Sequence, residues 1–315
     1  MRNDLLHVVT PFNNPLRWAS RLANFRRFED GMIAAGVQLR TVELAYGDRP
    51  FELPDRDGVM RLRFRTRDIL WHKENLGNLG FAAAPWEYGA LIDGDFMFAD
   101  PQWAAETVHA LQLFPIVQIS SELASLGPRG EHLAKSTSVM AVYRQAREAG
   151  RPIVPSAYGV AGNHSIRTHG YPGGSWGYRR EAFDRIGGLM DRCIVGAGDH
   201  HMAMGLLDAT MAGEPHDLTK PYQRYLDIWG ARAQRTIQRD VGLVPGLALH
   251  FWHGKPARRL YQQRPVIIRR NEYDPYEDVH YDGQGLLRLA GNKPDLRDDL
   301  RAYFGARDED SVDFG

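Results

Sequence analysis

Cysteine is all but missing from this chain. Cys193 is the only one in 315 residues, which excludes an intramolecular disulfide and any cysteine-cluster metal site. Long apolar runs are missing too. The opening stretch MRNDLLHVVTPFNNPLRWAS has no apolar h-region, and nowhere does the chain approach the roughly eighteen consecutive apolar residues that span a bilayer. The expectation is a soluble, cytoplasmic protein with no membrane span. An excess of either charge is also lacking, since Lys+Arg and Asp+Glu are 39 each. No global field therefore draws the protein to nucleic acid or an anionic membrane, although a local basic groove can sit in a neutral protein. Neither a GxxxxGK[ST] phosphate loop nor a GxGxxG fingerprint occurs. With 43% hydrophobic residues, the chain is able to bury a substantial core in one large domain.

What is present, through the first half, is an alternation of strand-like and helix-like segments. It predicts an α/β fold with a largely parallel central sheet flanked by helices. LLHVVTP (5–11), closed by Pro11, predicts the first strand. Residues 14–36 place Trp18, Leu22, Phe25, Met32 and Ile33 at helical spacing with Gly36 as the stop, and 37–47 predicts the second strand. In 58–68, Met60, Leu62 and Phe64 alternate with Arg61, Arg63 and Arg65, so the arginines share one face. The reading taken is the solvated face of an edge strand protected by charge; a phosphate-binding stripe is the alternative. Residues 69–84 predict a helix despite two glycines, 86–93 a strand, 101–114 a helix and 115–121 a strand. Between 122 and 175 the alternation fades, apart from a helix at 136–149, and so long an irregular stretch suits a binding loop or lid. Residues 179–189 and 199–213 carry helical patterns, 242–254 reads as one final strand, and the tail 291–315 as a short helix with a frayed acidic end.

Three short segments carry chemistry. Asp93-Gly94-Asp95 ends the 86–93 strand before Phe96, Met97 and Phe98. Ligands bind past the strand tips of open α/β sheets, and two carboxylates there suit Mg²⁺ or Mn²⁺. By itself such a triplet is commonly only a turn. GAGDHH (196–201) sets Asp199 at the mouth of a helix with His200 and His201 beside it; a helix N-cap and a proton acceptor are equally good readings. LHFWHG (249–254) sets His250 and His253 three apart after a strand. With no cysteine partner and no HExxH pattern, a structural zinc site is not indicated. One imidazole completing an Asp-bound Mn²⁺ site and simple packing beside Phe251 and Trp252 both remain open.

The order of these elements resembles the GT-A fold of nucleotide-sugar glycosyltransferases over roughly residues 5–260. It is most similar to the inverting galactosyltransferase-like branch and to family 2-like enzymes of bacteria and phages. HKENLGNLGFAAA (72–84) matches that branch's helix before the metal strand, with Asn78, Gly80 and Phe81 at recurring positions. GGSWGYRREAFDRIGGLMD (173–191) resembles its acceptor-and-donor block. GAGDHH stands where the family has Gly-Gly-Glu-Asp-Asp, with the acids reduced to Asp199 and two histidines.

The resemblance implies metal-dependent, inverting transfer of a sugar from a nucleoside diphosphate sugar, UDP-linked in that branch, to an acceptor hydroxyl. It implies Mn²⁺ (or Mg²⁺) held by Asp95, with Asp93 on the metal, a metal-bound water or the ribose, and His253, or else His250, completing the set. Asp199 is the implied base and His200 the alternative. Thr10 and Pro11 cradle the nucleoside or merely end a strand; Lys73 reaches a phosphate or solvates a helix face. Trp176 and Gly177 border the sugar or belong to the core, and Lys255, Arg258 and Arg259 cover the diphosphate or solvate a helix start. The implied organisation is a catalytic domain at 1–260, with an acceptor loop at 122–178, and a C-terminal extension at 261–315. The acceptor is a saccharide or, on the strength of the arginine strand and the basic segment 255–270, hydroxymethylated DNA. The rival functions are a non-catalytic nucleotide- or sugar-binding module and a metal-dependent nucleotidyltransferase, which also uses paired carboxylates.

Overall fold

Strand β1 (Leu6–Asn13) sends Leu6 and Val8 to one face and Val9 to the other, so it is buried on both sides, as a central parallel strand must be. The computed structural model of the protein describes residues 2–150, 170–208 and 218–312. β1 does not stop at Pro11. Its pairing with β4 (Tyr88–Ile92) ends at Val9 while that with β2 (Gln38–Tyr46) continues to Asn13, so Pro11 lies where one side of the strand is already open. Helix α1 (Ala19–Ala35) starts later than the periodicity suggests, because the Asn14 side chain closes a turn onto both backbone groups of Trp18. It ends on Gly36 in the left-handed conformation, at φ +72°.

Strand β3 (Val59–Thr66) is the sheet edge, as expected, and Arg63 and Arg65 on its arginine face are exposed, but Arg61 is not. Arg61 pairs with Glu29 of α1, and both side chains are buried. Arg63 reaches Asp55 at 2.7 Å, and Arg65 donates to the carbonyls of Gly47 and Arg49 while lying over Phe51. Helix α2 (Lys73–Ala82) tolerates its two glycines because they allow close approach to the sheet. A Cβ on Gly80 would lie 2.4 Å from Val9 Cγ1, and one on Gly77 2.7 Å from Leu189 Cδ1.

After β4 come β5 (Phe96–Phe98), α3 (Trp103–Leu113) and β6 (Ile116–Ile119). The stretch expected to be irregular holds a hairpin, β7 (Glu122–Leu126) and β8 (His132–Thr137), before α4 (Val139–Glu148); residues 151–169 of the expected acceptor loop lie outside the described residues. Strand β9 (Ser175–Arg179), also not anticipated, inserts antiparallel between β4 and β6. Helices α5 (Arg180–Ile186), α6 (Gly198–Leu206) and α7 (Lys220–Ile237) follow. The part of the 199–213 pattern beyond 208 is outside the described residues, and α7, capped by Thr219, had no counterpart in the sequence reading.

The expected single strand at 242–254 is two. Pro245 and Gly246 (φ +140°) break it into β10 (Val241–Val244) and β11 (Leu247–His250), which join different sheets. The large sheet has seven strands in the order β10-β6-β9-β4-β1-β2-β3, parallel throughout except for β9; the small one has the order β5-β11-β7-β8. The C-terminal part adds α8 (Gln263–Arg270), a hairpin of β12 (Val279–Tyr281) and β13 (Leu287–Leu289), and α9 (Pro294–Gly305). Leu6, Val8, Phe28, Met32 and Leu111 fill the layer under α1 and α3, and Val9, Val42, Phe81 and Met204 the opposite layer, where Ile267, Leu296 and Phe304 join them. The acidic end is not frayed through 312: Glu309 is buried against Arg21 and Arg307, and Asp310 caps α1. Among the described residues no helix is long and apolar enough to cross a membrane.

Candidate active site

Register builds the first half of the site. Antiparallel pairing of β5 with β11 sets His250 opposite Phe96, next to Asp95, and the Phe251 amide donates to the Asp95 carbonyl at 2.9 Å. His250 Nε2 and His253 Nε2 lie 3.5 and 3.6 Å from Asp95 Oδ2 and 3.2 Å from each other. Asp95, His250 and His253 thus offer three ligand atoms all within 4.8 Å of one another. The other carboxylate oxygen, Asp95 Oδ1, is buried and has no hydrogen-bond partner among the described residues. A buried unpaired acceptor is costly, and a cation would satisfy it; donor spacings of this size are also what bonds of about 2.1 Å to one ion span. The donor set fits a divalent metal.

Electrostatics prepares these groups. Burial raises the Asp95 carboxyl, but His250, His253 and Arg259 outweigh it and hold it below the ordinary carboxylate range. Burial and the Arg259 guanidinium push the His253 imidazole well down, towards the neutral form that ligates metals. Arg259 Nε is itself buried without a partner among the described residues. Arg258 is exposed, and Lys255 and Arg259 are half-buried at the short 3₁₀ turn Pro256–Arg259.

Asp93 is not in the three-residue cluster. Its amide donates to the Gly174 carbonyl at 2.8 Å, and its carboxylate is taken by Lys73 Nζ, at 2.6 and 2.9 Å. Lys73 opens α2 and also lies 3.8 Å from Asp199 Oδ2, so it bridges the end of β4 and the start of α6 rather than solvating a helix face. Burial raises the Asp93 carboxyl, and Lys73 offsets only part of that. For Asp199 the balance is reversed: burial raises it, but Lys73 and the His200 amide, which donates to Oδ1 at 2.8 Å, hold it down. Gly173 makes room for this carboxylate, since a Cβ there would lie 2.2 Å from Asp199 Oδ2. His200, the alternative base, is buried, its ring edge-on to that of His201, whereas the Asp199 side chain keeps 30% exposure.

Other expected site residues lie in the interior. Trp176 is buried in the core and donates its indole N–H to the Pro172 carbonyl at 2.7 Å, and Gly177 faces Val117 and Thr107. Thr10 is fully buried and Pro11 partly exposed, both within β1 rather than at its tip, which is Asn13. One acid was missed: Glu74, buried next to Gly198 at the start of α6, where burial and Asp199 raise its carboxyl to about 8 although Lys73 opposes them. The signal was available, because Glu74 precedes Gly77 by three residues and Phe81 by seven, on the apolar stripe of α2.

No protein-family model matches the sequence, and no curated protein does. Among solved structures, the chain aligns with a mutant Drosophila beta-1,4-galactosyltransferase 7 in complex with manganese, UDP-Gal and xylobiose, at TM-score 0.35 and 14% identity, covering 68% of this chain and 65% of that one. The catalytic domain of the same enzyme with xylobiose aligns at TM-score 0.35 and 17% identity, with the same coverage of 68% and 65%. The 1–349 portion of S. aureus TarS aligns at TM-score 0.37 and 11% identity, covering 63% of this chain and 54% of that one. The chain therefore spans less than two thirds of the length of each.

Proposed function

We propose that the protein is a metal-dependent, inverting glycosyltransferase that moves a sugar from a nucleoside diphosphate sugar to an acceptor hydroxyl. The observation that carries this reading is the convergence of Asp95, His250 and His253, with an unsatisfied carboxylate oxygen, just past the tip of a buried parallel strand. The ordered resemblance of the sequence to GT-A enzymes supports it. A donor set of two imidazoles and one carboxylate favours Mn²⁺ over Mg²⁺. Bound there, the ion would supply Lewis-acid stabilisation of the departing diphosphate.

The chain's own groups have distinct roles in this reading. Asp95 brings the only negative charge of the ligand set, and His253 and His250 complete it. Arg259, with Lys255 beside it, supplies positive charge for the diphosphate at the same end of the site. Asp93 holds Lys73, which orients Asp199 through its second contact. Asp199 accepts the proton of the acceptor hydroxyl, its Oδ1 fixed by the His200 amide. A saccharide acceptor is favoured over modified DNA, because the arginines of β3 are occupied within the fold. A UDP-linked donor follows the family branch.

The test is mass spectrometry of donor breakdown across nucleotide sugars, with and without Mn²⁺; Mn²⁺-dependent release of nucleoside diphosphate is the expected result. One contact favours the non-catalytic reading: Lys73 beside Asp199 lowers its basicity. Nucleoside diphosphate binding without consumption of any donor over a broad acceptor panel decides for that reading instead. Release of pyrophosphate or transfer of phosphate with the sugar identifies a nucleotidyltransferase.

A further inference from the structure

His250 and His253 are oriented by different means. His250 ends a strand and is fixed by its register against β5. His253 follows in a segment without regular structure, so no ladder sets the direction of its ring. Its two neighbours are held instead. The Trp252 carbonyl accepts from Asn24 Nδ2 at 2.7 Å, and the Trp252 indole donates to the Ser311 carbonyl at 2.7 Å, across 59 residues of chain. On the other side Gly254, at φ +86°, sits so close to the C-terminal segment that a Cβ would lie 2.7 Å from the Asp308 carbonyl oxygen and 2.9 Å from Glu309 Cα. Only glycine meets both demands of conformation and space.

The C-terminal segment is itself anchored. Glu309, 1% exposed, accepts from Arg21 Nε and from Arg307 Nε, each at 2.9 Å. Arg21 also donates to the Asn13 carbonyl at the end of β1. Asp310 accepts from the first amides of α1, Ser20 at 2.8 Å and Ala19 at 3.0 Å, and Ser20 Oγ donates to the Glu309 carbonyl at 3.0 Å. A carboxylate this buried persists only where guanidinium groups and donors satisfy it, so the segment is fixed by strong, directional contacts. It touches both flanks of His253 and is tied to α1 and, through Arg21, to β1.

We propose that residues 307–311 are a positioning strap for His253, with Glu309 and Asp310 as the positioning residues that hold the imidazole at the Asp95 carboxylate. The proposal rests on the reading of Asp95, His250 and His253 as a metal site. It assigns to the extreme C-terminal part of the chain a share in ion affinity, without contact to the ion.

The test uses full-length protein with Glu309→Gln, which keeps the side-chain shape, and Asp310→Ala, which removes only the α1 caps; Asp298→Ala, on the exposed face of α9, is the control. Imidazole nitrogen resonances are recorded on metal-free protein, and Mn²⁺ dissociation constants come from the electron paramagnetic resonance of free Mn²⁺. Expected are His253 ring signals displaced more than those of His250, which is reached only through the 3.2 Å contact between the two rings, and Mn²⁺ binding weakened by about 10- to 100-fold, as for loss of groups that orient metal ligands. The control leaves both readouts at wild-type values. Unchanged His253 signals in both strap variants, or equal displacement of both histidines, overturn the strap. If Glu309→Gln does not fold, Asp310→Ala decides alone. Absence of Mn²⁺ binding in the wild type refutes the metal reading, and the metal-free ring signals then still decide the strap.

Discussion

Asp95→Asn isolates the charge of the candidate ligand set with little change of shape. Asp95 is the only carboxylate among the three donors, and Arg259 lies close enough to lower both its pKa and that of His253. Without it, a divalent ion would face two imidazoles and a guanidinium, with no opposing charge. A bound cation supplies several kcal/mol of stabilisation to a departing anionic group. Taking about 4 kcal/mol, at about 1.4 kcal/mol per factor of ten, Asp95→Asn should lower donor turnover by about a thousandfold. Mn²⁺ affinity should fall in parallel. The assay is nucleoside diphosphate release at saturating donor over a Mn²⁺ series, with ion binding followed separately and circular dichroism reporting the fold. An Asp95→Asn protein that is folded, binds Mn²⁺ like the wild type and turns over within about threefold of it refutes the assignment of this residue.

Glu74 gives a pH signature. Its carboxyl is raised from 4.5 to about 8 by burial, so between those values the folded state holds a proton that the unfolded state has released. The contribution is complete below about pH 4.5 and is lost as the pH rises through 8. Glu74→Gln should therefore flatten the decline of stability between pH 5 and about 8 in denaturant titrations; parallel wild-type and variant curves contradict it. Gly80→Ala drives a methyl group to 2.4 Å from Val9 and 2.8 Å from Val42, and the overpacking should cost about 1–3 kcal/mol, read as a lower melting temperature. Arg61→Ala leaves the buried Glu29 carboxylate with the Thr41 hydroxyl at 3.1 Å and Arg56 at 3.7 Å. A loss of about 3–5 kcal/mol is expected by urea unfolding, nearly independent of salt because the pair is buried.

One local signal was legible in the sequence because a residue's chemistry contradicted its surroundings. Asp95 stood out as a charge inside an apolar run, and it is the residue around which the cluster forms. The alternation of strands and helices likewise indicated a largely parallel sheet, and the edge position of 58–68 followed from its charges. What failed was pairing at a distance. Nothing in LHFWHG shows that its strand lies against residues 96–98, because that register depends on contacts between segments about 150 residues apart in sequence. The Pro245-Gly246 break was visible as a turn signal but was absorbed into one long strand, and with it the small sheet was lost. Arg61 looks as solvated in sequence as Arg63 and Arg65, which are exposed, because its burial against Glu29 of α1 is set by tertiary packing. Glu309 looked like part of a solvated acidic end for the same reason, its guanidinium partners being Arg21, far upstream, and Arg307.

The break at Gly246 also divides the chemistry. Asp95 and His250 ride on the small sheet, at β5 and β11, whereas Lys73, Asp93 and Asp199 are attached to the elements of the large one. In the proposed reading, ion capture and proton removal are thus mounted on separate platforms that meet at one seam. Damage to either platform should announce itself in its own observable, and a lineage of such proteins would be free to retune one without rebuilding the other.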